Sequence, residues 1–400
     1  MKTPLSPRLL AVPLTACLTL TVTACATATA SAVSATRSGP AIMGAASPAA
    51  LRLELPRPTG PDPVGRDILY LVDKSRKDPW VPESGPRRLM VSMYYPARSA
   101  TGAPAPYMTP EEATSFLQRK APGTNLTAEI ISGIRTYAHT GTRPKNGRHP
   151  LVVVSPGLSL PRASLTFLAE DLASRGYVVA AVDHAYESSG TTFPGVGLLT
   201  CAPLCDQPKP PEGGKATITK NRAKDVSFVL DRLIGRHPAW KRANLINSKR
   251  IGMAGHSLGG DAASATMLAD TRVKAGINLD GTISATLPAT GLGDRPFLLM
   301  GSQSDHSPGK DDTWDSTWQN LRGWKRWLTV AQAEHSSFTD LAIPKSKIGQ
   351  SAPGTIAAER GIALTRAYVA AFFDQHLKNK KQPLLDAPTP DNPEVNFHNP

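Results

Sequence analysis

Gly255-His256-Ser257-Leu258-Gly259-Gly260 lies between an apolar run, Lys249-Arg250-Ile251-Gly252-Met253-Ala254, and a small-residue segment, 261–269. Gly-x-Ser-x-Gly in that setting predicts a strand, a sharp turn and a helix. A serine on such a turn has strained backbone angles, and side chains two positions to either side would collide. Glycine at 255 and 259 removes the collision. The turn lifts the Ser257 hydroxyl above the carboxyl edge of a sheet, where it is open to attack a substrate.

A nucleophilic serine needs a base, and the base needs an orienting acid. After such a turn the chain order is serine, acid, histidine. His335 is the best-placed base. It follows the strand-like residues 326–330 and opens the loop Glu334-His335-Ser336-Ser337-Phe338-Thr339-Asp340. His306 comes too soon after its own apolar run, His376 falls inside a predicted helix, and His398 falls in a proline-rich tail. Two aspartates end strand-like runs: Asp280 after 273–279 and Asp305 after 297–304. Either could hold the histidine Nδ1–H, and spacing does not choose; the other would form a turn or cap a helix. The oxyanion needs two backbone N–H groups. Leu258, after the nucleophile, supplies one at a helix N-terminus. The loop Ser155-Pro156-Gly157-Leu158-Ser159 supplies the other, and since Pro156 has no N–H the expected donor is Leu158.

These stretches resemble the plasma-type platelet-activating-factor acetylhydrolases and their bacterial relatives, serine esterases of the α/β-hydrolase fold. The likeness covers most of the chain after residue 57. It begins at Pro58-Thr59-Gly60-Pro61-Asp62-Pro63-Val64-Gly65 and continues through 172–184 and Arg222-Ala223-Lys224-Asp225. It then takes in the Ser257 turn, Asn278-Leu279-Asp280 and His335-Ser336-Ser337-Phe338-Thr339-Asp340. The resemblance implies that Asp280 rather than Asp305 is the acid, because the family's acid follows the strand after the nucleophile helix. It implies hydrolysis of short-acyl lipid or phospholipid esters through an acyl-enzyme, with no cofactor. The family's oxyanion loop reads His-Gly where this chain has Pro156-Gly157, so a side-chain role for that histidine is missing here.

The rest of the chain alternates strands and helices, which implies a mostly parallel sheet covered on both faces. Strands are expected at 67–72 and 88–95, then near 151, 177, 250, 273, 297 and 327. Helices are expected at 163–174, 219–234, 261–269 and 355–378. Two excursions, 107–140 and 187–220, interrupt the pattern and should border the active-site mouth. In the first, Thr109-Pro110-Glu111-Glu112 is a helix start, and Asn125 is expected to cap a segment bearing an apolar stripe from Leu126 to Ala138. That stripe would be core or a lipid-facing rim. The second carries Cys201 and Cys205, read as a disulfide rather than a metal site, since no histidines cluster nearby.

Residues 1–24 read as a signal peptide. Lys2 and Arg8 precede an apolar stretch, 9–24, too short for a membrane span. Val22-Thr23-Ala24-Cys25 resembles a bacterial lipobox, which would make Cys25 a lipidation site; cleavage after Ala30 or Ala32 is the alternative. Residues 25–50 read as a tether, and 51–400 as one catalytic domain. The expected location is therefore outside the cytoplasm of a bacterium, secreted or lipid-anchored. The net charge of +13 is spread along 400 residues without an aromatic-basic binding module, which argues against a nucleic-acid partner. A basic exported surface fits anionic lipid or the cell envelope. Other readings of the same residues are a broader lipase or polyesterase, a serine peptidase or amidase, and a catalytically silent binding protein.

Overall fold

Uninterrupted apolar runs such as Leu151-Val152-Val153-Val154 belong to strands covered on both faces. The computed structural model describes residues 51–399 and places those runs in the middle of a sheet. The leader, Cys25 and the tether lie outside the described residues. The strands are β1 (Val64–Lys77), β2 (Pro86–Pro96), β3 (Ala138–His139), β4 (His149–Ser155), β5 (Val178–His184), β6 (Thr191–Phe193) and β7 (Gly197–Leu199). They continue with β8 (Ile246–His256), β9 (Val273–Leu279), β10 (Gly291–Asp294), β11 (Phe297–Ser302), β12 (Lys325–Val330) and β13 (Val395–His398). The helices are α1 (Pro110–Lys120), α2 (Ala128–Ser132), α3 (Thr166–Ser174), α4 (Ala202–Cys205) and α5 (Gly214–Ile234). After them come α6 (Leu258–Ala269), α7 (Gln303–His306), α8 (Asp312–Asn320), α9 (Ala342–Lys347) and α10 (Ala358–Lys378).

The main sheet has ten strands in the order β13-β12-β11-β9-β8-β4-β5-β2-β1-β3. The central strands, from β12 through β5, pair in parallel, while β2 joins β5 antiparallel. Alternate residues of β4 face opposite layers. Val152 and Val154 pack with Phe167 of α3 and Tyr368 of α10. Leu151 and Val153 pack with Leu230 of α5 and Met267 of α6. Each such aliphatic side chain contributes about 1.5–3 kcal/mol on burial.

Parallel order directs the carboxyl ends of β4, β8 and β9 to one edge, where α/β sheets bind ligands. Ser155, His256 and Leu279 end these three strands and surround the Ser257 turn. His398 is not in an irregular tail. It ends the edge strand β13, antiparallel to β12, with its Nε2 2.7 Å from Thr329 Oγ1. Thr109 caps α1 with a reciprocal capping box to Glu112, but Thr127, not Asn125, caps α2 by accepting the Ile130 N–H. Most of the apolar stripe is core: Ile131 and Ile134 are buried against Tyr107 and Phe116, while Leu126, also buried, lines a recess. A disulfide joins Cys201 and Cys205.

Candidate active site

Ser257 sits between β8 and α6 with φ 54° and ψ −124°, a backbone conformation that L side chains rarely adopt. The turn is held by the Ser257 N–H, which donates to Leu279 O at 2.8 Å, and by Ser257 O, which accepts from Gly260 N at 2.9 Å. A Cβ at Gly259 would lie 1.9 Å from Ser155 O, and one at Gly255 2.1 Å from Gly259 O. Both glycines are therefore steric requirements of the turn.

His335 opens a short helical turn, residues 335–338, and its side chain is 55 % exposed. Its Nδ1 lies 2.5 Å from Asp280 Oδ2. The loop is fixed by Lys345, whose Nζ donates to Glu334 Oε1 at 2.7 Å and to Ser336 Oγ at 3.1 Å. Asp280 follows β9 with φ 56°. The Asn278 side chain clasps the next residue, accepting from Gly281 N at 2.9 Å and donating to Gly281 O at 2.7 Å. The other Asp280 oxygen, Oδ1, accepts from Ser302 N at 2.6 Å. Burial pushes the Asp280 carboxyl up, but the bond to His335 and the charges of His335 and His306 outweigh it and hold it at about 2. Asp305 is elsewhere: it lies in α7, its Oδ2 accepts from Ser302 Oγ at 2.9 Å, and the carboxylate that meets His335 is that of Asp280.

Two histidines that sequence reasoning passed over border this pair. His306 stacks on Trp314 with ring centroids 4.2 Å apart, its Nε2 3.6 Å from Asp280 Oδ1 and its Nδ1 3.0 Å from Asp311 Oδ2. Burial lowers its pKa, yet Asp311 and Asp280 raise it more, so the net shift is upward. Only the fold brings it there, because α7 turns back over β11. His256, next to the serine, has its Nε2 2.9 Å from His335 O, so that nitrogen carries the proton. Burial first, and the His335 charge second, lower its pKa to about 3, so it stays neutral. The His-Ser pair at 256–257 was the one available signal for it.

Ser257 and His335 stand between two recesses. One, of about 400 Å³, is walled by Phe116, Leu126, Leu160, Leu341 and Ile348. The other, of about 760 Å³, is polar, with Lys215, Lys310, Asp311 and Asp312 among its walls. The excursion 107–140 borders the apolar recess as expected. The excursion 187–220 borders the mouth on the polar side, through Lys215, and Leu204 of the disulfide loop packs against Leu158 and Leu258. Residues 341–350, part of no predicted excursion, complete the apolar wall. Leu158 borders both recesses, and among the described residues neither its N–H nor that of Leu258 meets a protein acceptor. Also among the described residues, no three His, Cys, Asp or Glu side chains converge as metal ligands.

A mostly parallel sheet with a strained serine turn at its carboxyl edge and an aspartate-bound histidine beside it defines an α/β-hydrolase. The comparisons agree. The family model for platelet-activating factor acetylhydrolase, isoform II, matches residues 49–195. A probable 1-alkyl-2-acetylglycerophosphocholine esterase of Arthroderma benhamiae is 29% identical over 388 residues, 86% of this chain and 93% of that protein. A cutinase of Thermobifida fusca is 26% identical over 175 residues, 42% of this chain and 47% of the cutinase. The solved structure of a ferulic acid esterase from Streptomyces cinnamoneus matches with a TM-score of 0.78 and 42% identity, covering 87% of this chain and 100% of that one. The chain is therefore an esterase of the α/β-hydrolase fold, similar to the platelet-activating-factor acetylhydrolases.

Proposed function

We propose that the protein hydrolyses carboxylic esters through an acyl-enzyme on Ser257. Ser257 Oγ attacks the ester carbonyl while His335 takes its proton and returns it to the leaving alcohol. Asp280 keeps the imidazole in the tautomer with a free Nε2 and stabilises the imidazolium. The Leu158 and Leu258 N–H groups receive the oxyanion. Water then repeats the cycle on the acyl-enzyme. The observation that carries this reading is a strained, half-buried serine at the sheet edge that shares its recess with a histidine held 2.5 Å from a buried carboxylate.

The recesses divide the substrate. The apolar one suits a compact acyl group, and the polar one suits the alcohol. Short-acyl lipid or phospholipid esters fit that division and agree with the fungal relative. A second reading, an ester of ferulic acid, is favoured by the 42% identity over the whole length of the Streptomyces esterase. Export is supported by the leader sequence and by the Cys201–Cys205 disulfide, which fits an oxidising compartment. The test is to label the protein with an organophosphonate, map the adduct, and assay p-nitrophenyl esters from C2 to C16, a short-chain phospholipid, a ferulic acid ester and a peptide amide. Labelling away from Ser257, or full activity in Ser257→Ala, refutes the mechanism; preferred cleavage of the amide refutes the esterase assignment.

A further inference from the structure

Behind the oxyanion loop lies a buried charge cluster that the reaction as described does not use. Arg222 of α5 is 1 % exposed, as is its partner Glu187. Arg222 Nε donates to Glu187 Oε2 at 2.7 Å, and Nη1 donates to Pro156 O at 2.5 Å and to Ser155 Oγ at 3.2 Å. Ser155 Oγ is 3.2 Å from His184 Nε2, and His184 Nδ1 is 2.7 Å from Asp225 Oδ2. Carboxylates only accept, so His184 donates from Nδ1 and accepts the Ser155 hydroxyl proton at Nε2. Arg87 closes the cluster, donating to Glu187 at 2.7 Å and Asp225 at 2.8 Å. A serine, a histidine and an aspartate thus line up a second time, but buried, with an arginine where a substrate would have to enter.

The cluster grips the loop from one end, and the excursion grips it from the other. Ser159 has φ 61°; its N–H donates to Glu187 O at 2.8 Å, and its carbonyl accepts from Ser189 N at 3.1 Å. Ser188 O in turn accepts from Cys201 N at 2.7 Å, which ties this grip to the disulfide loop. Between the pinned Pro156 carbonyl and the pinned Ser159 lie only Gly157 and Leu158. The Leu158 N–H shares its peptide plane with the Gly157 carbonyl, which accepts from Leu160 N at 3.2 Å, so its direction is set by that bond and by the pinned residues on either side. An error of about 1 Å in such a group costs on the order of a hundredfold in rate.

We propose that Arg222, braced by Glu187, is a positioning residue that aims the Leu158 N–H at the oxyanion. The excursion 187–205 then serves as the latch of the oxyanion loop. This rests on the assignment of Ser257 and Leu158 above. Pro156 has no N–H, so its carbonyl is the one backbone group through which it can be hydrogen-bonded, and Arg222 takes it.

The test compares wild type with Arg222→Lys, which keeps the charge but loses the fork. A second variant, Arg222→Met with Glu187→Gln, removes both partners without leaving the carboxylate alone. Each is assayed for kcat, KM and thermal unfolding, and for inhibition by a short-chain trifluoromethyl ketone and its methyl ketone isostere. The fluorinated ketone forms a Ser257 hemiketal with an oxyanion; the methyl ketone reports ground-state binding. The expected result is a loss of about tenfold or more in kcat and in trifluoromethyl ketone affinity. KM and methyl ketone affinity should stay within about twofold, since neither depends on an interaction made only in the transition state. Retained kcat in both variants, or equal weakening of the two ketones, overturns the proposal. If Arg222→Lys does not fold, the double variant decides by the same readouts. Failure of the wild type to form a hemiketal at Ser257 would instead take down the underlying mechanism, which keeps the two failures distinct.

Discussion

Asp280→Asn should be among the most damaging isosteric changes in this enzyme, and the reason lies in how its two oxygens are used. Oδ1 accepts the Ser302 N–H and Oδ2 accepts the His335 Nδ1–H. Asparagine has one accepting oxygen and one donating NH₂. The Ser302 N–H is buried backbone and must keep its acceptor, so the amide oxygen goes to Ser302. The NH₂ then faces His335 Nδ1 and forces that nitrogen to accept. The ring proton moves to Nε2, and the base can no longer take a proton from Ser257. A wrong-tautomer defect of this kind costs about 10⁴ in kcat, or about 5.4 kcal/mol of barrier. Asp305→Asn leaves the Asp280–His335 bond in place, changing an acceptor for Ser302 Oγ and a charge at the edge of the polar recess, and should change kcat far less. Both variants are measured by stopped-time hydrolysis of p-nitrophenyl butyrate, after circular dichroism shows that they are folded. A large loss in Asp305→Asn with a near-silent Asp280→Asn refutes the reasoning.

Three further outcomes are expected. The apolar recess should make kcat/KM fall by roughly tenfold or more from a monomeric C4 to a C12 ester, and Ile348→Ala should flatten that fall while Leu204→Ala leaves it intact; a profile rising toward long chains contradicts this. Burial pushes Glu170 up to about 7 against the N–H groups of Tyr137 and Ala138. From pH 4.5 upward the unfolded chain gives up this proton while the folded one keeps it, so stability falls until pH passes about 7, by an amount on the order of 3 kcal/mol. The Tm of Glu170→Gln minus that of wild type should therefore rise with pH across that window, and parallel curves would refute it. Finally, if Cys25 is lipidated, Cys25→Ala expressed in the native host should move from the detergent to the aqueous phase; unchanged partition favours ordinary secretion.

What the sequence disclosed follows the range of the interactions involved. The Ser257 turn is local: two glycines, a strand pattern and small helix residues fit within 249–269, and the structure has the strand, turn and helix there. The meeting of Asp280 with His335 spans 55 residues, and only the family resemblance chose between two aspartates with the same local signal. His306 was set aside because it follows β11 so soon, yet α7 folds it back against Asp280, a reversal that no periodicity announces. The strand β13 was lost to the prolines before it, since a short edge strand carries little pattern of its own. The excursion 187–220 borders the site as read, but on the polar side, because length says that a segment can cover a site, not which side of it.

The bond from His256 to the His335 carbonyl has a consequence for engineering. The residue beside Ser257, at the end of β8, holds the backbone of His335, although the two lie 79 residues apart in the chain. A shift of either backbone alone would strain that bond. The rings, 4.4 Å apart, add contact to the same coupling. A graft of residues 334–340 from a relative would carry a new base into a socket cut for the old one. It would keep its alignment only if the donor residue at the position of His256 came with it.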